Sequence, residues 1–185
     1  MSNDDLDLKT KADNIMPSLE DLALYDKAQL REFLATVEKF MHAAPTDRKI
    51  DPPLTHHFSK DVYAREIFIP SGCMLVGKIH KYENLNIVSQ GDITVVSIDG
   101  VKRVKAPATF VSSPGVKRIG FAHEDTIWTT IHGTDETDLD KIESEFIAKD
   151  YSEVAGISAD ELKLLEEIKN IDNDGAKSCL GRQPQ

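Results

Sequence analysis

A chain of 185 residues, with 40% hydrophobic and 29% charged side chains, is long enough to bury one core and carry extensions. Its 32 acids against 22 bases leave a formal charge of −10, which argues against sequence-independent nucleic-acid binding and against an anionic membrane surface, because both need cations. No apolar run approaches the roughly 20 residues of a membrane-spanning helix, and the acidic start Met1-Ser2-Asn3-Asp4-Asp5 lacks the basic and apolar stretches of a signal peptide.

The charge is uneven along the chain. Residues 51–133 carry 8 acids and 9 bases, whereas residues 134–185 carry 14 acids and 6 bases. The acidity therefore belongs to the flanks. Residues 1–16 are polar and read as a mobile start. Over residues 17–50 the pattern is helical. Ser18 with Asp21, and Asp26 with Gln29, have the spacing of capping boxes. Leu30, Phe33, Leu34, Val37, Phe40 and Met41 then recur at three and four, one apolar stripe on a helix of about four turns. That stripe must pack on its own chain or on another subunit. Pro45 and Pro52-Pro53 mark an extended linker.

The period changes over residues 51–133. Eight short segments rich in β-branched and aromatic residues read as strands: 62–69, 73–79, 85–89, 93–98, 101–104, 109–112, 118–122 and 126–132. Turns separate them at Pro70-Ser71-Gly72, Gln90-Gly91-Asp92, Asp99-Gly100 and Ser113-Pro114-Gly115. Asp99-Gly100 is a strong hairpin signal. Strands at this spacing predict a sandwich or barrel. Helix returns over 134–170: Thr137 or Asp138 starts one carrying Leu139, Ile142, Phe146 and Ile147, and Ser158 with Glu161 starts another carrying Leu162, Leu165 and Ile168. Residues 171–185 read as a flexible tail.

The stretch from Pro70 to Gly91 resembles the first motif of the cupin superfamily: a Pro/Gly turn, a strand ending in His-x-His, a Glu four residues on and a Gly seven further. Here the spacing holds as Lys78-x-His80, Asn84 and Gly91, but only His80 and Gly91 match in type. The second motif has its His three residues after a Pro-x-Gly turn; here Pro114-Gly115 makes the turn and Arg118 takes that position. Several phrases are also similar to cupin-like proteins encoded by tailed bacteriophages, among them Ile79-His80-Lys81-Tyr82-Glu83, Pro114-Gly115-Val116-Lys117-Arg118 and Glu124 to His132. The resemblance implies a mainly β, cupin-like double-stranded β-helix (a jelly-roll barrel) with α-helical N- and C-terminal extensions.

In such a barrel the motif residues hold a metal, because alternate residues of a strand point to one face and bring imidazoles together. Applied here, that rule puts Met74, Val76, Lys78 and His80 on one face. If the face is inward, Lys78, His80, Asn84 and Arg118 line the metal positions. Protonated Lys cannot ligate, and Arg stays protonated. Three readings follow. The barrel is structural, with Lys78 and Arg118 paired to Glu66 or Glu83. Or Lys78, His80, Asn84 and Arg118 bind a small anion. Or His80, Glu83 and His123 form a remodelled site for Mn, Fe, Ni or Zn.

Other residues carry plainer expectations. His56-His57 reads as a solvated pair, His132 as a surface residue, Trp128 as core or interface, and Cys73 as a small buried hydrophobe. Cys73 and Cys179 offer no disulfide framework. Lys102-Arg103-x-Lys105 reads as an exposed edge strand. No phosphate loop, nucleophile elbow or His-Glu-x-x-His helix is present.

The expected function is non-catalytic: a phage-type protein that binds a small anionic ligand in its barrel or serves in assembly through its helical arms. A metal-dependent enzyme acting on a small acidic metabolite or sugar is the alternative, and a module modulating a host protein is a third. The expected partners are a second copy of the chain and other phage proteins, with no nucleic acid and no membrane. The expected location is the host cytoplasm or the virion.

Overall fold

The computed structural model describes residues 18–43 and 51–154. The N-terminal arm starts with two reciprocal caps. The Asp21 backbone N–H donates to Ser18 Oγ at 3.0 Å while Ser18 N–H donates to Asp21 Oδ2 at 3.1 Å, opening α1 (Leu19–Leu22). Asp26 and Gln29 exchange the same pair of bonds at 2.9 Å and open α2 (Lys27–Ala43). Each box satisfies backbone donors that a helix start leaves without partners.

The middle of the chain folds as β1 (Leu54–Ser59), β2 (Val62–Ile69), β3 (Met74–Val76), β4 (Ile79–His80), β5 (Asn84–Gln90), β6 (Asp92–Ser97), β7 (Gly100–Lys105), β8 (Ala108–Ser112), β9 (Ile119–Ala122) and β10 (Thr126–His132). Then come α3 (Leu139–Phe146), β11 (Ile147–Ala148) and a 3-10 turn (Tyr151–Glu153). Asp138 caps α3, accepting from the Asp140 and Lys141 N–H groups. The second C-terminal helix expected from Ser158, the polar start and the tail lie outside the described residues.

The pairing is nested from the outside in. β2 pairs with β10, β3 with β9, β5 with β8 and β6 with β7, all antiparallel. The chain is thus one long hairpin closing at Asp99-Gly100, wound so that alternate pairs fall in opposite sheets. One sheet runs β1-β2-β10-β5-β8 and the other β3-β9-β6-β7, with β4 paired to β11 between them. That winding is a cupin-like double-stranded β-helix, in a mainly β molecule with helical extensions. Gly91 sits at a crossing that forbids a side chain: its φ is +94°, and a Cβ there would lie 2.6 Å from the Asp125 carbonyl oxygen.

Two apolar layers hold the barrel. Inside, Ile69, Ile93, Val95 and Ala122 pack with Ile67, Cys73, Leu75, Val104 and Trp128. Outside the four-stranded sheet, Val96 and Ile119 are covered by Leu22, Leu30, Leu34 and Val37 of the arm. The apolar stripe of α2 therefore packs on its own chain. Phe40 departs from the stripe and is 40% exposed. Lys117 at the barrel reaches Glu38 on α2 and ties the same contact.

Two strand boundaries depart from the sequence reading. The segment expected as one strand over 73–79 breaks at Gly77, whose N–H donates to the Arg118 carbonyl at 2.8 Å. The residues expected as linker and solvated His pair form β1, an edge strand in register with β2. β7, with exposed Lys102, Arg103 and Lys105, is the edge of the other sheet.

Candidate functional site

Register decides what faces the barrel interior. In antiparallel sheets paired residues share a face. Val88, Trp128 and Ile67 form an apolar layer, continuous with the core. The next layer is polar: Asn86, Thr130 and Arg65, with Phe110 beyond Asn86. The last layer holds Tyr63 and His132, and Asn84 opposite Ser112. One end of the barrel is therefore dry and the other is lined with polar groups.

The asparagines are structural. Asn86 Nδ2 donates to Asn84 Oδ1 at 2.8 Å and to Ser112 Oγ at 2.7 Å. Asn86 Oδ1 accepts from Trp128 Nε1 at 2.9 Å and Thr130 Oγ1 at 3.0 Å. Asn84 Nδ2 donates to the Tyr82 carbonyl. This network satisfies the amide of Asn86 fully, as a buried polar group requires. It leaves Asn84 holding strands rather than offering its side chain.

Arg118 and His80 behave differently. Arg118 lies just before β9, and its guanidinium sits 5.9 Å from the centre of the Phe110 ring, inside the barrel. Phe110 in turn meets Trp128 edge to face at 5.4 Å. Among the described residues no carboxylate pairs with Arg118, and burial lowers its pKa. Arg65 faces inward beside Thr130. His80 stacks on His132 at 5.1 Å, and its buried Nδ1 has no hydrogen-bond partner among the described residues. Burial pushes the His80 pKa down to about 3, helped by His132, Arg65, Arg118 and Lys78. Burial and Arg65 push His132 down to about 4. Both imidazoles are neutral near pH 7 while the guanidiniums keep their charge.

Helix α3 closes this end. Phe146 packs on the His132 ring at 4.4 Å, and Ile142 and Phe146 cluster with Tyr63. Ile147 pairs with His80 in β4, and the His80 carbonyl accepts from Gly115 N–H at 2.9 Å. The Pro114-Gly115 turn thus anchors the His80 backbone.

Several expectations need correction. Met74, Val76, Lys78 and His80 do not share a face, because the strand breaks at Gly77. Val76 packs toward the arm, His80 faces inward, and Lys78 is exposed and bonded to Glu143 of α3 at 2.5 Å. The expected pairing of Lys78 or Arg118 with Glu66 or Glu83 is not formed; Glu66 instead lies 3.8 Å from His57. His132 is not a surface residue but is 6% exposed. His56 bonds Tyr63 Oη at 2.7 Å.

The remodelled metal site is not assembled. His123 bonds Thr94 Oγ1 at 2.7 Å and meets Phe121, on the outer face of the four-stranded sheet. Glu83 is exposed in the turn between β4 and β5, and His80 is inside. Among the described residues no three His, Cys, Asp or Glu side chains group as metal ligands. The cupin positions fit a metal no better. Arg118 has no lone pair to give, Lys78 is ion-paired outside, and the stacked His80 and His132 rings lie in near-parallel planes that cannot aim at one ion. The donor set does not suit Mn, Fe, Ni or Zn.

Sequence reasoning missed Arg65, Tyr63, Phe110, Thr130 and the inward role of His132. The signal was present in the period-two run Thr126, Trp128, Thr130, His132, which needed only the face of Trp128 to be assigned.

No family model and no curated protein matches the chain. Solved structures that align with part of the chain include an RmlC-like cupin with a double-stranded β-helix fold from Methanocaldococcus jannaschii, at 12% identity and TM-score 0.39, over 50% of this chain and 88% of that one. A cupin-2 domain protein from Shewanella frigidimarina aligns at 15% identity and TM-score 0.37, over 54% and 92%. The EutQ protein of Clostridium difficile aligns at 8% identity and TM-score 0.40, over 51% and 77%. The named neighbours are two cupins and a EutQ protein, each aligned over about half of this chain.

Proposed function

We propose that the barrel is a non-catalytic binding site for a small anion, in a cupin-like protein of the phage type. The observation that carries this reading is Arg118: a guanidinium inside a barrel, against an aromatic face, with no carboxylate ion-paired to it among the described residues and only Asp99 acting on it beyond bonding distance. A buried cation without a bonded counter-ion is costly, and a bound anion would relieve that cost. Arg65 adds a second cation and the neutral His80 a free polar nitrogen. The Asn84–Asn86 network stiffens the lining without competing for the ligand. The arm is occupied with its own barrel, which favours the ligand role over assembly through α2. The similarity to phage-encoded chains supports a setting in the infected cell or the virion.

Calorimetric titration with sulfate tests the reading. Wild-type protein should bind one equivalent, and Arg118→Gln should lose at least about tenfold in affinity, the scale of one lost charge-assisted contact. Circular dichroism confirms that the variant is folded. Equal binding by the two proteins would overturn the proposal, as would a stoichiometric metal in purified protein that is lost on His80→Gln.

A further inference from the structure

The two guanidiniums and the unpartnered imidazole stand together, and their arrangement selects among anions. We infer that the barrel takes a dianion, a small dicarboxylate or an oxyanion of charge −2, and takes up a proton at His80 on binding it. This rests on the anion-binding reading above.

Charge balance comes first. Inside the polar end, Arg65 and Arg118 carry one positive charge each; among the described residues neither is ion-paired with a carboxylate, and Asp99, in the β6–β7 turn, acts on Arg118 without bonding it. Lys78 is already paired outside with Glu143. One negative charge would leave a buried cation uncompensated; two would neutralise the layer.

His80 supplies the coupling. It meets the His132 ring of β10 and feels Arg65 of β2, Arg118 before β9 and Lys78 on its own segment. From α3 it is approached through Phe146, which covers His132, and Glu143 is bound to Lys78. Ile147 of β11 adds no charge. In the free protein burial and these cations hold His80 neutral, down to about 3. A dianion cancels the two guanidiniums and accepts from Nδ1–H, which favours the imidazolium. The burial that remains is offset by that charge-assisted bond.

The sign follows from linkage. If binding returns His80 to near its ordinary value of about 6.5, the complex holds one more proton than the free protein between that value and the free one. Affinity then rises as pH falls, by about tenfold from about pH 8 to about pH 5.5.

Calorimetry with sulfate and oxalate, and with formate as the monoanion, tests this with full-length protein. Repeating each titration in two buffers of different ionisation heat counts protons. The expected result is tighter binding of both dianions than of formate and strengthening toward acid. Close to one proton should be taken up near pH 5.5. Uptake should be lost in His80→Gln but kept in His123→Gln, on the outer face. Formate binding as tightly as sulfate, or sulfate binding with no proton uptake, would overturn the inference and leave the anion site standing. No binding of any anion by wild type, or no effect of Arg118→Gln, would overturn the site itself. If His80→Gln does not fold, the buffer dependence of wild type decides: its presence supports the inference and its absence overturns it.

Discussion

Single residues here act through what they lack. Among the described residues Arg118 has no ion-paired carboxylate and His80 Nδ1 no hydrogen-bond partner, and Gly91 lacks a side chain. The first two make the proposed site, and the third permits the winding that encloses it. At Gly91 the backbone is in the left-handed region, and a Cβ would press on the Asp125 carbonyl and on Thr126. Gly91→Ala should therefore lower stability by about 2 kcal/mol or more, since neither obstacle is a flexible side-chain end. Chemical denaturation measures this. The same change at Gly100, where a Cβ would meet nothing within 4 Å, carries only the conformational cost of its positive φ and should destabilise less.

At the scale of elements, the arm and α3 have different tasks. α2 covers the outer face of the four-stranded sheet, with Leu34 1% exposed against Val96 and Ile119. Leu34→Ala should cost about 2–5 kcal/mol, and Phe40→Ala, on the exposed side, under about 0.5 kcal/mol. Denaturant midpoints of the two variants check the ordering; equal losses would mean that α2 does not pack as described. α3 instead closes the polar end of the barrel through Phe146, so the site depends on a residue from beyond the β-domain.

Over the whole molecule, much of the fold was legible in the sequence because its signals are local. Capping boxes, the Asp99-Gly100 hairpin and runs of β-branched residues act over a few positions. The ends of β2 and β10 coincide with the expected ones, at Val62–Ile69 and Thr126–His132. The site was less legible because it is a product of register. His80 and Arg118 could be placed from motif spacing, but Arg65, Phe110 and His132 join them only through pairings across β2, β10, β5 and β8. Lys78 could not be placed at all from alternation, since the strand stops at Gly77 and α3 supplies its partner from 65 residues away. β1 was hidden by Pro52-Pro53, which reads as linker, and takes its strand character from pairing with β2.

The overall charge of −10 and the cationic polar end of the barrel describe different parts of one molecule. The central claim is that this end holds an anion where a cupin would hold a metal. Selenate, a dianion with a strong anomalous scatterer, tests it directly in crystals of the full chain. The account predicts one selenium peak inside the barrel, within contact distance of the Arg118 guanidinium and His80 Nδ1. A barrel without selenium, or a transition-metal peak on His80, would contradict it.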